Sequence, residues 1–221
     1  MRAYGLRAVC VNAMAAIAVL LWLTVVQAAA QPIRILAFGA SITAGYGLDA
    51  ADTLPVQLEK ALRAHGVDAT VINGGVSGDT SAGGLARLDW ALADNPDLVI
   101  LDLGGNDALR AIDPKSTEAN LDAIVTRLQA QKRGVLIAGM LAPPNLGKDY
   151  AAAFNAVFPA VAERHHVTLY PFLLDGVVAD PALNQEDGIH PNAAGVKVIV
   201  ERMLPSVLQA IQQLDRKAPG S

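Results

Sequence analysis

The chain has 221 residues, about thirty of which read as a removable leader, so the remainder is the size of one ordinary domain with room for a substantial core. Net charge is −4 with both signs intermixed, no Lys/Arg block exists to track a nucleic-acid backbone, and aromatic residues at 5% are too few for a base-stacking surface. The one cysteine, Cys10, lies in the leader, which excludes a thiol nucleophile, a disulfide framework and a cysteine zinc site from the rest.

The leader, residues 1–30, has the order of an export signal. Arg2 and Arg7 precede an apolar run from Ala13 to Val26, and Ala28 and Ala30 form a small-residue site for cleavage before Gln31. The alternative is an uncleaved membrane anchor over Ala8 to Ala30. Either way, residues 31–221 are expected as a single domain outside the cytoplasm, periplasmic or secreted.

Short apolar runs then alternate with amphipathic segments. Arg34–Phe38 reads as a first strand, and Thr53–His65 as a helix with Thr53 as N-cap. The β-branched Ala69–Asn73 is a second strand, followed by a helix over Ser81–Ala93 with Leu85, Leu88, Ala91 and Leu92 at helical spacing. Leu98–Leu103 is a third strand. Thr117–Arg133 predicts a helix with Leu121, Ile124, Val125 and Leu128 on one face, stopped by Gly134. Gly134–Met140 is a fourth strand, Tyr150–His165 a helix, and Val167–Tyr170 a short fifth strand. A last helix starts near Asn192 and passes Leu204, where Pro205 is expected to kink it. Only the tail from Arg216 to Ser221 reads as unstructured.

Five apolar strands separated by helices imply an α/β fold, a three-layer α/β/α sandwich around a five-stranded parallel sheet. In such sheets, ligands bind beyond the carboxyl ends of the strands. Four unusual loops open on that edge. G-A-S-I-T-A-G-Y-G (Gly39–Gly47) follows strand one, and N-G-G-V-S-G-D-T (Asn73–Thr80) follows strand two. L-G-G-N-D (Leu103–Asp107) follows strand three, and D-G-I-H-P-N (Asp187–Asn192) comes after strand five.

That convergence changes the meaning of each loop. Alone, Ser41 is a turn residue, and Asp187-x-x-His190 a turn that caps the next helix. On a shared edge, Ser41 becomes a candidate nucleophile, His190 its base, and Asp187 the carboxylate that orients the base. Acyl transfer also needs donors for the developing oxyanion. The backbone N–H groups of Ser41 and Gly78 and the side-chain amide of Asn106 are candidates. Asp79, Thr80 and Asp107 read as caps or loop hydrogen-bonders. Gly45–Ala50 satisfies G-x-G-x-x-A, but it lies past the strand–helix turn and Asn73 stands where a dinucleotide site needs an acid. Residues 39–43 also miss the final glycine of the G-x-S-x-G elbow.

The four blocks, in this order, resemble those of the SGNH hydrolases, or GDSL-type esterases, from Ile33 to about Leu208. The likeness is closest to the exported bacterial acyl-CoA thioesterase I, lysophospholipase and arylesterase group. It implies a flavodoxin-like architecture, a Ser41–His190–Asp187 triad, and an oxyanion hole from Ser41, Gly78 and Asn106. One departure stands out: the family's G-D-S is G-A-S here, with Ala40 in place of an aspartate that supports the nucleophile turn.

The expected function is hydrolysis of small carboxylic esters or thioesters through an acyl-enzyme, with no metal or organic cofactor and no nucleic-acid partner. Membrane contact is expected only through an uncleaved leader or a lipid substrate. Leu141–Gly147 and Leu173–Gln185 are expected to wall the substrate site. The alternatives are a carbohydrate or peptidoglycan O-acetylesterase, or a catalytically weakened lipid- or glycan-binding member of the same fold.

Overall fold

The runs of buried apolar residues dictate a sheet covered on both faces. Every residue of β3 (Leu98–Asp102) and β4 (Gly134–Ala138) is buried, as is β1 (Ile33–Gly39) from Ile35 onward. Such unbroken burial, with no alternation of polar residues, is the pattern of a central parallel strand. The computed structural model describes residues 31–215. The expected leader, with Cys10, and the tail from Arg216 lie outside the described residues.

The sheet has five parallel strands in the order β2-β1-β3-β4-β5, with β2 spanning Ala69–Asn73 and β5 Thr168–Tyr170. The edges are modest: β2 is only partly buried and β5 has 3 residues. Helices α2 (Leu54–Ala64) and α8 (Ala193–Asp215) pack together, as do α3 (Ser81–Ala91), α5 (Pro114–Ala130) and α7 (Val157–His165). β4 touches α8 and α5, so the core lies in two layers, one on each side of the sheet.

The strand order reverses between β1 and β3. The chain leaves β1 for β2 on one side and later returns to place β3 on the other, opening a crevice at the carboxyl ends of β1 and β3. Two one-turn helices start there: α1 (Ser41–Ala44) directly after β1 and α4 (Gly105–Leu109) after β3.

Several boundaries differ from the sequence expectation. Thr53 is the N-cap residue of α2, but its hydroxyl donates to the Ala50 carbonyl (3.1 Å) instead of accepting from the helix. The helix expected from Thr117 begins at Pro114, because Asp113 accepts from the Lys115 N–H and Pro114 supplies a ready-made first helical φ. It ends at Ala130, and Lys132 at φ 60° turns the chain; Gly134 opens β4. The single helix expected over Tyr150–His165 is two, α6 (Lys148–Asn155) and α7, separated at Ala156. Pro159 has no N–H for the Asn155 carbonyl, so one continuous ladder is not available. α8, by contrast, runs from Ala193 through Pro205 to Asp215.

Candidate active site

Each expected site residue lies in a segment, loop or short helix, that follows a strand at the same sheet edge. Ser41 is the first residue of α1, with its Oγ 2.8 Å from His190 Nε2. His190 Nδ1 lies 2.6 Å from Asp187 Oδ2. The other oxygen of Asp187 accepts the backbone N–H groups of Ile189 (2.9 Å) and His190 (3.0 Å). Gly188 makes this turn available: it sits at φ 68° with open space where a Cβ would stand, so the need is for backbone freedom and not for room.

These contacts favour one distribution of protons. The backbone and side-chain hydrogen bonds from His190, with that from Ile189, pull the Asp187 carboxyl down to about 2. An ionised carboxylate can only accept, so His190 Nδ1 carries the proton and Nε2 is left to accept from the Ser41 hydroxyl. The arrangement is a hydroxyl, a base and an orienting anion in line.

The candidate oxyanion donors are less alike. The Ser41 and Gly78 N–H groups have no hydrogen-bond partner among the described residues. Gly78 lies in a turn closed by the Asp79 N–H on the Val76 carbonyl (3.1 Å), and its φ of 82° excludes most side chains. Asn106 donates one amide hydrogen to the Asp79 carbonyl (2.8 Å), leaving the second free. Ser41, Asn106 and His190 line one cavity of about 550 Å³; Gly78 is not among its lining residues. The cavity's other walls are mainly apolar, including Leu109, Met140, Leu141, Phe172, Leu174 and Val178. Both segments expected to wall the site therefore contribute, although Leu173 is fully buried in the core and Gln185 turns elsewhere.

Three supporting side chains make contacts across the fold that the sequence does not reveal. Arg87 on α3 donates to the Gly39 carbonyl (3.0 Å), the Gly74 carbonyl (2.9 Å) and Asp79 Oδ2 (2.6 Å), and lies 4.3 Å above the Phe38 ring. One guanidinium thus ties the turn before Ser41 to the loop that carries Gly78. Asp107, expected as a cap or loop hydrogen-bonder, is buried and reaches across to α3, accepting the Ser81 N–H (2.8 Å) and hydroxyl and also the Thr117 hydroxyl (3.1 Å). It anchors the helix that presents Asn106. Thr80, also expected as a cap, does accept the Gly83 N–H.

The third is Asp102, at the carboxyl end of β3. Its Oδ2 accepts the Thr43 hydroxyl at 2.6 Å, joining α1 to the sheet. Ala40, at the start of α1, makes no side-chain capping hydrogen bond; the Thr43–Asp102 bond and those of Arg87 tie the Ser41 turn to the sheet and to the Gly78 loop. Burial pushes the Asp102 carboxyl up to about 7, only partly offset by the Thr43 bond. The stabilisation of a raised carboxyl is complete below its unfolded value of 3.8, declines as pH rises, and is gone above about 7. Asp102→Asn keeps the acceptor and the volume but cannot ionise. It is expected to be more stable than the parent at pH 9, by a few kcal/mol at most. Urea unfolding at pH 5, 7 and 9 measures this; an advantage that does not grow with pH would refute it.

Known proteins resemble this chain over most of its length. A family model described as GDSL-like Lipase/Acylhydrolase matches residues 37–198. Esterase TesA of Pseudomonas aeruginosa is 42% identical over 182 residues, 82% of this chain and 90% of that protein. Thioesterase 1/protease 1/lysophospholipase L1 of Escherichia coli strain K12 is 37% identical over 185 residues, 83% of this chain and 86% of that protein. The crystal structure of TesA matches with a TM-score of 0.77 at 40% identity, covering 80% of this chain and 99% of the other. With a matched stretch that runs from the end of β1 and the Ser41 turn through the Asp187–His190 loop into the last helix, this chain belongs to the GDSL-like lipase/acylhydrolase family.

Proposed function

We propose that this protein is an exported serine hydrolase that cleaves carboxylic esters and thioesters through an acyl-enzyme, with Ser41, His190 and Asp187 as its triad. The observation that carries the proposal is the continuous hydrogen-bonded line from Ser41 Oγ through both nitrogens of His190 to Asp187. His190 takes the hydroxyl proton as Oγ bonds to the acyl carbon. The carbonyl oxygen becomes an anion, stabilised by the Ser41 and Gly78 N–H groups and the free amide hydrogen of Asn106. Collapse breaks the bond to the leaving group, which departs with the proton from His190 as an alcohol or thiol. Water then repeats the sequence: His190 accepts its proton, its oxygen attacks the acyl carbon, and Ser41 is released with a carboxylic acid.

The relatives' names, an esterase and a thioesterase/lysophospholipase, support this chemistry. The apolar cavity beside Ser41 favours an acyl chain over an acetyl group on a glycan.

A fluorophosphonate probe followed by peptide mapping is expected to find the label on Ser41. Hydrolysis across p-nitrophenyl esters from acetyl to palmitoyl should favour chains longer than acetyl. Failure to label, together with tight binding of a lipid or glycan, would make the protein a binding module. Release of acetate from glycans alone would make it an O-acetylesterase.

A further inference from the structure

We propose that Tyr46 and Gln185 form a clamp that positions His190 against Ser41, with the Tyr46 ring face favouring the charged imidazole that forms when the base takes a proton. The inference rests on the catalytic reading above, and neither residue touches the reacting atoms.

The clamp joins two loops far apart in sequence. The Tyr46 N–H donates to the carbonyl of Ser41 itself (3.0 Å). The Tyr46 carbonyl accepts from Gln185 Nε2 (2.8 Å), which also donates to the Pro191 carbonyl (3.0 Å). The Gln185 backbone N–H donates to the His190 carbonyl (2.8 Å). Gln185 therefore grips the carbonyls of His190 and Pro191, the peptide groups on either side of Pro191, and ties them to the segment that begins at Ser41. The fit is tight: a Cβ on Gly47 would come within 2.2 Å of Gln185 Oε1, and Gly45 and Gly47 flank Tyr46 at φ 82° and 71°. The backbone around Tyr46 is thus bent into a shape that holds the ring over the base.

Tyr46 is 53% exposed, so burial does not explain its place. Its centroid is 4.6 Å from that of His190 with the planes at 38°. The hydroxyl has no hydrogen-bond partner among the described residues, which leaves the ring face as the working part. A cation within about 6 Å of an aromatic face is attracted by the ring quadrupole. The neutral imidazole gains little from that face and the imidazolium more, so the contact acts chiefly on the transition state.

The test compares Tyr46→Phe, Tyr46→Leu and Gln185→Met with the full chain, using p-nitrophenyl butyrate and thermal melting. Tyr46→Phe keeps the face and should stay within about twofold of the parent. Tyr46→Leu keeps apolar cover without the quadrupole and should lose about five- to tenfold in kcat, with KM and melting temperature little changed. Gln185→Met removes the two side-chain donations, keeps the backbone one, and should show a similar loss. The double variant should cost less than the product of the two losses, because both act through one imidazole. A Tyr46→Leu enzyme as active as Tyr46→Phe, or a loss confined to KM or stability, would overturn the clamp. Were the parent itself neither active nor labelled at Ser41, the catalytic reading would be the one to fail.

Discussion

Asp187→Asn is expected to lower kcat for p-nitrophenyl butyrate by about 10⁴-fold while leaving the fold intact. The size of the loss follows from which way the new amide must face. One oxygen of Asp187 accepts two backbone N–H groups, from Ile189 and His190. In the variant only the amide oxygen can keep those bonds, so the NH₂ turns to His190 Nδ1. That nitrogen then has to accept, the proton moves to Nε2, and the Ser41 hydroxyl faces a donor instead of a base. His190→Ala should cost at least as much, since no proton acceptor remains. Because Asp187 stays ionised down to about pH 2, the parent's acid limb should not report this carboxylate. Full activity in Asp187→Asn, with the fold verified by melting, would show that the observed line of hydrogen bonds does not carry the reaction.

Arg87→Met is expected to cost about 2–4 kcal/mol of stability and most of the activity. The Arg87 and Asp79 side chains are only 16% and 13% exposed, so removing the cation strands a carboxylate that water barely reaches. The same change frees the Gly39 and Gly74 carbonyls, one immediately before the nucleophile turn and the other in the loop leading to Gly78. Lysine should not rescue it, because three acceptors in different directions require the planar fork of guanidinium. Asp79→Asn in the Arg87→Met background should recover part of the stability by removing the stranded charge, but little of the activity. Urea midpoints and kcat for the single and double variants separate the two effects. A stability change below about 1 kcal/mol would show that the network is not shielded from solvent.

These tests probe groups of very different legibility. The alternation of apolar runs and amphipathic segments was enough to place β1 to β5 and hence the layered sheet, because burial on two faces leaves a local imprint on composition. Ser41, His190 and Asp187 were legible for a related reason. Each sits in a short loop of unusual residues, and parallel strands must present all such loops at one edge. The errors were also local in origin. Asp113 and Pro114 were a start signal three residues upstream of the expected one, and Pro159 was a break read as a continuation.

The supporting groups left no such imprint. Arg87 reads as one more charged position on a helix until α3 is docked over the turn before Ser41, 48 residues away in sequence. Asp102 lies 59 residues from Thr43, and Gln185 lies 139 residues from Tyr46. The sequence by itself determined the layers and the strand edge and pointed to the candidate trio of Ser41, His190 and Asp187, because those follow from periodicity and chain direction. Only the tertiary structure decided what holds the trio still. Hydrogen bonds between distant loops depend on atomic separations that arise after the sheet has formed, and no local pattern of residues records them.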